Sequence, residues 1–304
     1  MLPPPENNKH LLIGSSFVLI AALGFSAKAV IIKLAYGYSI QVDAITLMAL
    51  RMLIALPVFL FVAFWHRNNY QNQALTPKDG LGIMMLGGLG YYLASYLDFT
   101  GLQFISAGLE RVILFLYPTF VMLFSALIFR RLITLRETIA LLLCYVGMLW
   151  VFLENIQSGS RNVFKGSILV LLSAISFALF LIGSGIMIKR IGSARFTALS
   201  MTIACFATLI HFVVTHDLEL LDLPKQVYAL ALLMAVFSTV LPAFLLNAGI
   251  RRIGSSSASI ISSAGPIGTL LLAYVFLGEP LSWAQVAGTM LVLTGVYVAS
   301  KAKS

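Results

Sequence analysis

Long apolar runs dominate this chain, and they are separated by brief polar breaks. Ten stretches stand out: roughly residues 11–35, 43–65, 79–98, 106–129, 134–153, 166–188, 195–215, 225–247, 255–277 and 281–300. Each approaches or exceeds the ~20 residues a helix needs to cross ~30 Å of hydrocarbon. The breaks carry turn and charge signals such as Arg130-Arg131, Lys189-Arg190, Arg251-Arg252 and Gly278-Glu279-Pro280. The runs are too long, and alternate too little, for membrane-spanning strands. The first follows Lys9 and His10, outlasts the apolar core of a signal peptide and ends at no cleavage site, so it reads as a retained helix. Residues 1–8, with Pro3, Pro4 and Pro5, read as a disordered tail. The pattern predicts an all-α integral membrane protein with ten transmembrane helices.

Composition agrees. The chain is 60% hydrophobic and 10% charged, where a soluble domain carries about 25% charged residues. Its net charge of +9 does not point to nucleic acid, because the cations sit at the ends of apolar runs. With a cytoplasmic N-terminus, 13 Lys and Arg fall in inner segments and 3 in outer loops. The positive-inside rule then places both termini in the cytoplasm, the N-in/C-in arrangement of a plasma-membrane (in a bacterium, inner-membrane) protein. Cys144 and Cys205 lie inside apolar runs and have neither disulfide nor metal-ligand spacing. No cofactor or metal is expected. No phosphate-binding glycine loop, paired intramembrane aspartates, His–carboxylate cluster or repeated filter motif is present, which argues against an ATP-driven pump, a membrane enzyme and a channel.

The second half echoes the first. A shift of 148 residues carries Phe99–Phe152 onto Asn247–Ser300 without a gap, aligning Gly101 with Gly249, Ile105 with Ile253, Pro118 with Pro266 and Gly147 with Gly295. Upstream, a shift of 152 aligns Gly14-Ser15 with Gly166-Ser167 and Phe25 with Phe177. Each copy holds five helices, residues 1–155 and 156–304. Five is odd, so the copies would enter the membrane from opposite faces, as inverted repeats of the kind common in secondary transporters.

Two segments carry a family resemblance. Leu277-Gly278-Glu279-Pro280-Leu281-Ser282, followed by Gly288 and Gly295, resembles the EamA type of the drug/metabolite transporter superfamily. So does Gly101-Leu102-Gln103-Phe104-Ile105-Ser106-Ala107, followed by Pro118. The resemblance covers nearly the whole chain as two five-helix EamA units. It implies a helical basket with a central path between the repeats and export of amino acids or other small metabolites; some relatives import or exchange instead. The first half departs from the pattern, since Arg130 and Arg131 stand where the second half has Gly278 and Glu279.

Candidate chemistry concentrates in the first repeat, where charges within a bilayer are costly and mark functional sites by default. Helix 1 carries Lys28 and Lys33. Helix 2 carries Arg51 about eight residues in, roughly 12 Å along the axis. Helix 3 is expected to end at Asp98, and helix 4 opens with Glu110 and Arg111. In the second repeat Phe180 replaces Lys28, and Ala258 and Ser259 replace Glu110 and Arg111. Arg51 or Arg111 would grip a substrate carboxylate. Asp98 or Glu110 would hold an amine or carry a proton, or these charges would form an internal ion-pair network. Adjacent on a helix, Glu110 and Arg111 are not expected to pair. Lys33 is expected to snorkel to the outer interface. Tyr91, Tyr92, Ser95 and Tyr117 are candidates to line the path, with Tyr96 favoured as an interface anchor and His211 as a satisfied core histidine. The serines of helix 9, Ser255 to Ser263, read as close-packing positions, with a hydroxyl-lined path as the alternative. Pro118 and Pro266 are candidate hinges. The expected partners are a small polar or zwitterionic, amino-acid-like substrate, protons and the lipid bilayer, with the chain a monomer or weak dimer.

Overall fold

The computed structural model describes residues 5–69, 75–128, 130, 132–157, 162–216, 222–262 and 265–301, and among them every regular element is helical. The chain order is α1 Pro5–Tyr38, α2 Ala44–Asn69, α3 Pro77–Gly87, a π-helical segment Gly88–Leu93, α4 Ala94–Leu102, α5 Ala107–Leu114, α6 Tyr117–Ile128 and α7 Leu135–Gln157. Then follow α8 Val163–Ile191, α9 Ser193–Thr215, α10 Lys225–Ala235, a second π-helical segment Val236–Val240, α11 Leu241–Ile261, α12 Gly265–Leu277 and α13 Trp283–Lys301. Nine helical stretches among the described residues are long and apolar enough to cross a membrane; the apolar stretch of α13, Trp283–Val298, is shorter. Side chains such as Leu12, Phe61, Leu127, Val213 and Val275 stand more than half exposed on these helices, as suits a surface solvated by lipid.

Two boundaries differ from the sequence expectation. Helix α1 begins at Pro5, so at least the second half of the expected tail is helical; residues 1–4 lie outside the described residues. Proline is compatible there, because its missing N–H falls in the first turn, where no intrahelical acceptor exists. The third span runs on to Leu102, which leaves Asp98 a turn inside α4.

Helices α7 and α13 pack along each other, as do α1 with α11, α2 with α9 and α4 with α8. Small residues set the closest approaches. A Cβ on Gly147 of α7 would stand 2.6 Å from the carbonyl oxygen of Gly288 in α13, and one on Gly288 would stand 2.7 Å from that of Gly147. Gly101 and Gly166 face each other's carbonyls at 3.0 Å in the same way, and a Cβ on Gly249 would lie 3.1 Å from the carbonyl of Gly14. Apolar tails of lipid are no worse a solvent for Leu or Val than a neighbouring helix is. Helix pairs in a bilayer therefore gain mainly from such close van der Waals contact.

The spans that carry the π segments and the candidate prolines are irregular at matching places. Val236, which opens the second π segment, follows Gly88 by the same 148 residues that separate Cys144 from Val292, its hydrogen-bond partner. In the first π segment the wide turn leaves the Leu89 carbonyl accepting from the Ala94 N–H and, at 2.8 Å, from the Ser176 hydroxyl. The equivalent Phe237 carbonyl is approached by Gly24, where a Cβ would stand 2.5 Å away. The fourth span breaks at Phe115 and Leu116. Pro118 sits second in the helix after that break, and Pro266 sits second in α12. Gly254, at φ +80°, interrupts α11.

Polar contacts between loops and helix ends fall into separate groups. Asp43, after α1, meets His216, after α9, at 3.0 Å. Ser106, before α5, donates to Asn155 near the end of α7 (3.1 Å), and Ser282, before α13, donates to Glu154 (2.6 Å). Glu279 accepts the Ala107 and Gly108 N–H groups at 2.9 and 3.1 Å, capping the N-terminus of α5 from the other half of the chain. Elsewhere Arg190, ending α8, bridges Asp79 at the start of α3 at 3.0 Å.

Candidate functional site

Where α1, α2, α4, α5, α6, α8, α9 and α11 converge, the bundle holds a partly open cavity, with about 840 Å³ of empty space including that at its open side. Both π segments open onto it: the first presents Gly90 and Tyr91, the second Ser238 and Thr239. A π turn displaces the side chains that follow from the regular helical register, and such turns recur at functional sites. Helices α7 and α13 contribute nothing to the lining among the described residues.

One wall is cationic. Lys28 from α1, Arg51 from α2 and Arg111 from α5 all reach the cavity. Behind them lie two carboxylates that do not line it, Asp98 and Glu110, 1% and 0% exposed. Lys28 Nζ stands 2.6 Å from Asp98 Oδ2. Asp98 and Glu110 lie within electrostatic reach of each other. Contrary to the expectation for adjacent helical residues, Arg111 Nε lies 3.5 Å from Glu110 Oε2. The two side chains leave the helix about 100° apart, but the long guanidinium folds back; the contact is a charge contact and lacks hydrogen-bond geometry. Arg111 Nη2 donates instead to the Phe25 carbonyl at 2.9 Å.

Arg51 differs from the other two cations. It is 3% exposed and lines the cavity, yet its Nε and Nη2 have no hydrogen-bond partner, and it forms no ion pair among the described residues. Its one close contact of charge is with the face of Phe99, 4.7 Å from Cζ to the ring centroid; Lys28 lies 5.9 Å from the same ring. A ring face attracts a cation, though less strongly than a carboxylate does.

The opposite walls are aromatic and hydroxylic. Phe25, Phe115, Tyr117 and Phe177 line them, with Tyr117 edge-on to Phe177 at 5.1 Å and tilted against Phe115 at 5.4 Å. Tyr117 donates to the Ser259 carbonyl at 3.3 Å, and the Tyr91 hydroxyl accepts from Asn247 Nδ2 at 2.8 Å.

The structure thus gathers Lys28, Arg51, Arg111, Ser95 and Tyr117 around one space and sets Asp98 and Glu110 directly behind it. It places Tyr92 elsewhere: its hydroxyl pairs with His211 Nδ1 at 2.9 Å and its ring stacks on Tyr96. Lys33 donates to the Leu102 carbonyl at 3.1 Å. Phe177, Ser238 and Thr239 line the cavity without having been singled out for it from the sequence, and Ser262, whose alternative reading was a hydroxyl-lined path, lines it too. The repeat register of the sequence pairs Phe177 with Phe25 and Ser262 with Leu114, and the two π segments, which begin 148 residues apart, pair Ser238 and Thr239 with Gly90 and Tyr91; all four counterparts line the cavity too.

Comparison with known proteins places this geometry in a family. The sequence profile of the EamA-like transporter family matches residues 12–153 and again residues 164–301. The chain is 32% identical over 298 residues to an uncharacterized transporter of Bacillus subtilis (strain 168), YcbK, covering 93% of this chain and 92% of the relative. An uncharacterized transporter of Archaeoglobus fulgidus is 23% identical, with 87% and 91% coverage. A solved crystal structure superimposes with a TM-score of 0.68 over 96% of both chains at 16% identity, a likeness of fold. The chain is a multi-pass membrane protein and belongs to the EamA-like transporter family.

Proposed function

We propose that this chain is a secondary active transporter that exports a small polar, carboxylate-bearing metabolite, of the amino-acid-like class, across the plasma membrane by alternating access. The observation that carries this reading is the central cavity, whose lining comes from both halves of the chain at positions related by the repeat register, while its charge comes from one half alone. On this reading residues 1–155 and 156–304 are two inverted five-helix units, α13 is the tenth span, and both termini are cytoplasmic. The grouped loop contacts support the topology. Asp43 with His216, and Glu279 with Ala107 and Gly108, join loops that would lie outside, whereas Arg190 with Asp79 joins ends that would lie inside. Pro118 and Pro266 are the proposed bending points, and the Asp98–Glu110 pair is the proposed seat of a coupling proton.

The test is reconstitution. Purified protein in liposomes should take up members of a labelled metabolite panel saturably, with self-competition, and a pH gradient should alter the rate in wild type but not in Glu110→Gln. Non-saturable ion current, or catalytic turnover of a substrate without its movement, would sink the reading.

A further inference from the structure

The charge balance of the cavity narrows its ligand. Three cations, Lys28, Arg51 and Arg111, reach the lining; two carboxylates, Asp98 and Glu110, stand behind them, and no carboxylate lines the cavity among the described residues. Lys28 is matched by Asp98 and Arg111 by Glu110. Arg51 is left over: buried, within electrostatic reach of Asp98 but in no ion pair among the described residues, and with two of its nitrogens unbonded, so that Asp98, already held by Lys28, compensates it only in part. A buried charge without a counter-charge is unfavourable, and a guanidinium offers paired donors to a planar oxyanion. The rest of the lining is neutral, with the rings of Phe25, Phe115, Tyr117 and Phe177 supplying an apolar surface.

We infer that the cavity binds a small organic monoanion with an apolar or aromatic body, its carboxylate held by Arg51 and the body lying against Phe25, Tyr117 and Phe177. This rests on the reading of the cavity as the transported substrate's site, and it replaces the amino-acid-like class named there with a monoanion that lacks the ammonium. A zwitterion brings an ammonium for which the lining has no acidic partner, and a cation meets three like charges.

Phenylacetate, phenylalanine and phenethylamine share one ring and differ in net charge, and acetate keeps the carboxylate without the ring. Binding of the four to the purified full chain, followed by calorimetry, should rank phenylacetate at least tenfold tighter than each of the others. Arg51→Gln should weaken phenylacetate roughly tenfold to a hundredfold, the range for losing a charge-assisted contact. Arg51→Lys should fall between. The ranking in wild type decides the matter even where Arg51 variants fold poorly. Equal or tighter binding of phenylalanine or phenethylamine, parity of acetate with phenylacetate, or no binding of phenylacetate overturns the inference. Saturable uptake of phenylalanine into liposomes, with phenylacetate neither bound nor competing, removes the anion site and leaves a transporter. Selective phenylacetate binding without movement of any solute does the reverse.

Discussion

Asp98 and Lys28 show how differently one residue reads in sequence and in structure. In the sequence each is an anomaly, a charge within an apolar run, and that anomaly made both of them legible. In the structure they are each other's reason for being tolerated, 2.6 Å apart and 1% and 13% exposed. Removing one partner of such a buried pair leaves the other uncompensated. Asp98→Asn is expected to cost about 3–5 kcal/mol, whereas replacing both by apolar residues of similar size is often close to neutral. The apparent melting temperature in detergent should therefore drop sharply in Asp98→Asn and largely recover in the double variant Lys28→Met with Asp98→Leu. A double variant no better than the single one would show that the pair does not act as a unit. Side-chain direction was the part hidden from sequence. Residue spacing argues against the Glu110–Arg111 contact, yet it forms, because a guanidinium on a long stem can turn back toward its neighbour. Tyr92 was equally plausible on paper as Tyr91, one residue away, but only Tyr91 reaches the cavity. The π turn that holds Tyr91 is set by tertiary contacts such as Ser176 to the Leu89 carbonyl, and local sequence does not announce it.

At the scale of elements, hydropathy located the spans because a helix surrounded by lipid must be apolar on most of its surface. Its blind spot is interruption. The break at Phe115 and both π segments lie inside uninterrupted apolar text, whereas Gly254 falls just after Arg251-Arg252, where charge already marks a break. Prolines flagged the first kind, although Pro118 and Pro266 start helices more than they bend them. The pairing of α7 with α13 is the sharpest case for glycine. Gly147→Leu would drive a side chain into the Gly288 carbonyl, already 2.6 Å from where a Cβ would stand. Overpacking of this kind costs about 1–3 kcal/mol, so Gly147→Leu should lower thermal stability while leaving phenylacetate binding in the surviving folded fraction intact. The cavity takes nothing from α7 or α13 among the described residues, and lost affinity at full stability would contradict that separation.

For the whole molecule, the count of Lys and Arg predicts an orientation, and the loop contacts group helix ends by side without choosing which side is the cytoplasm. Ile40, after α1, is fully exposed, and Leu132, before α7, is 92% exposed. Cys144 and Cys205 are buried. With that low background, Ile40→Cys in intact cells should react with a membrane-impermeant maleimide, and Leu132→Cys should react only after the membrane is opened. The opposite result would invert the topology. The two-copy architecture was legible because duplication leaves hydropathy and glycine positions in register. The asymmetry of charge was legible for a related reason: five charged residues in one copy have apolar or small counterparts in the other.

The leftover charge on Arg51 has an electrical consequence. A carrier returns to its starting state after each cycle, so the net charge it moves is that of its cargo, which for the inferred monoanion without a coupled proton is one negative charge. The interior of a living cell is electrically negative and pushes anions outward, by about 2.3 kcal/mol for each 100 mV. That corresponds to a concentration ratio of roughly 50-fold at balance. Exchange against an incoming proton would add to this force. An exporter of monoanions in such a membrane can run on voltage alone, and the unpaired guanidinium is what would tie it to that source.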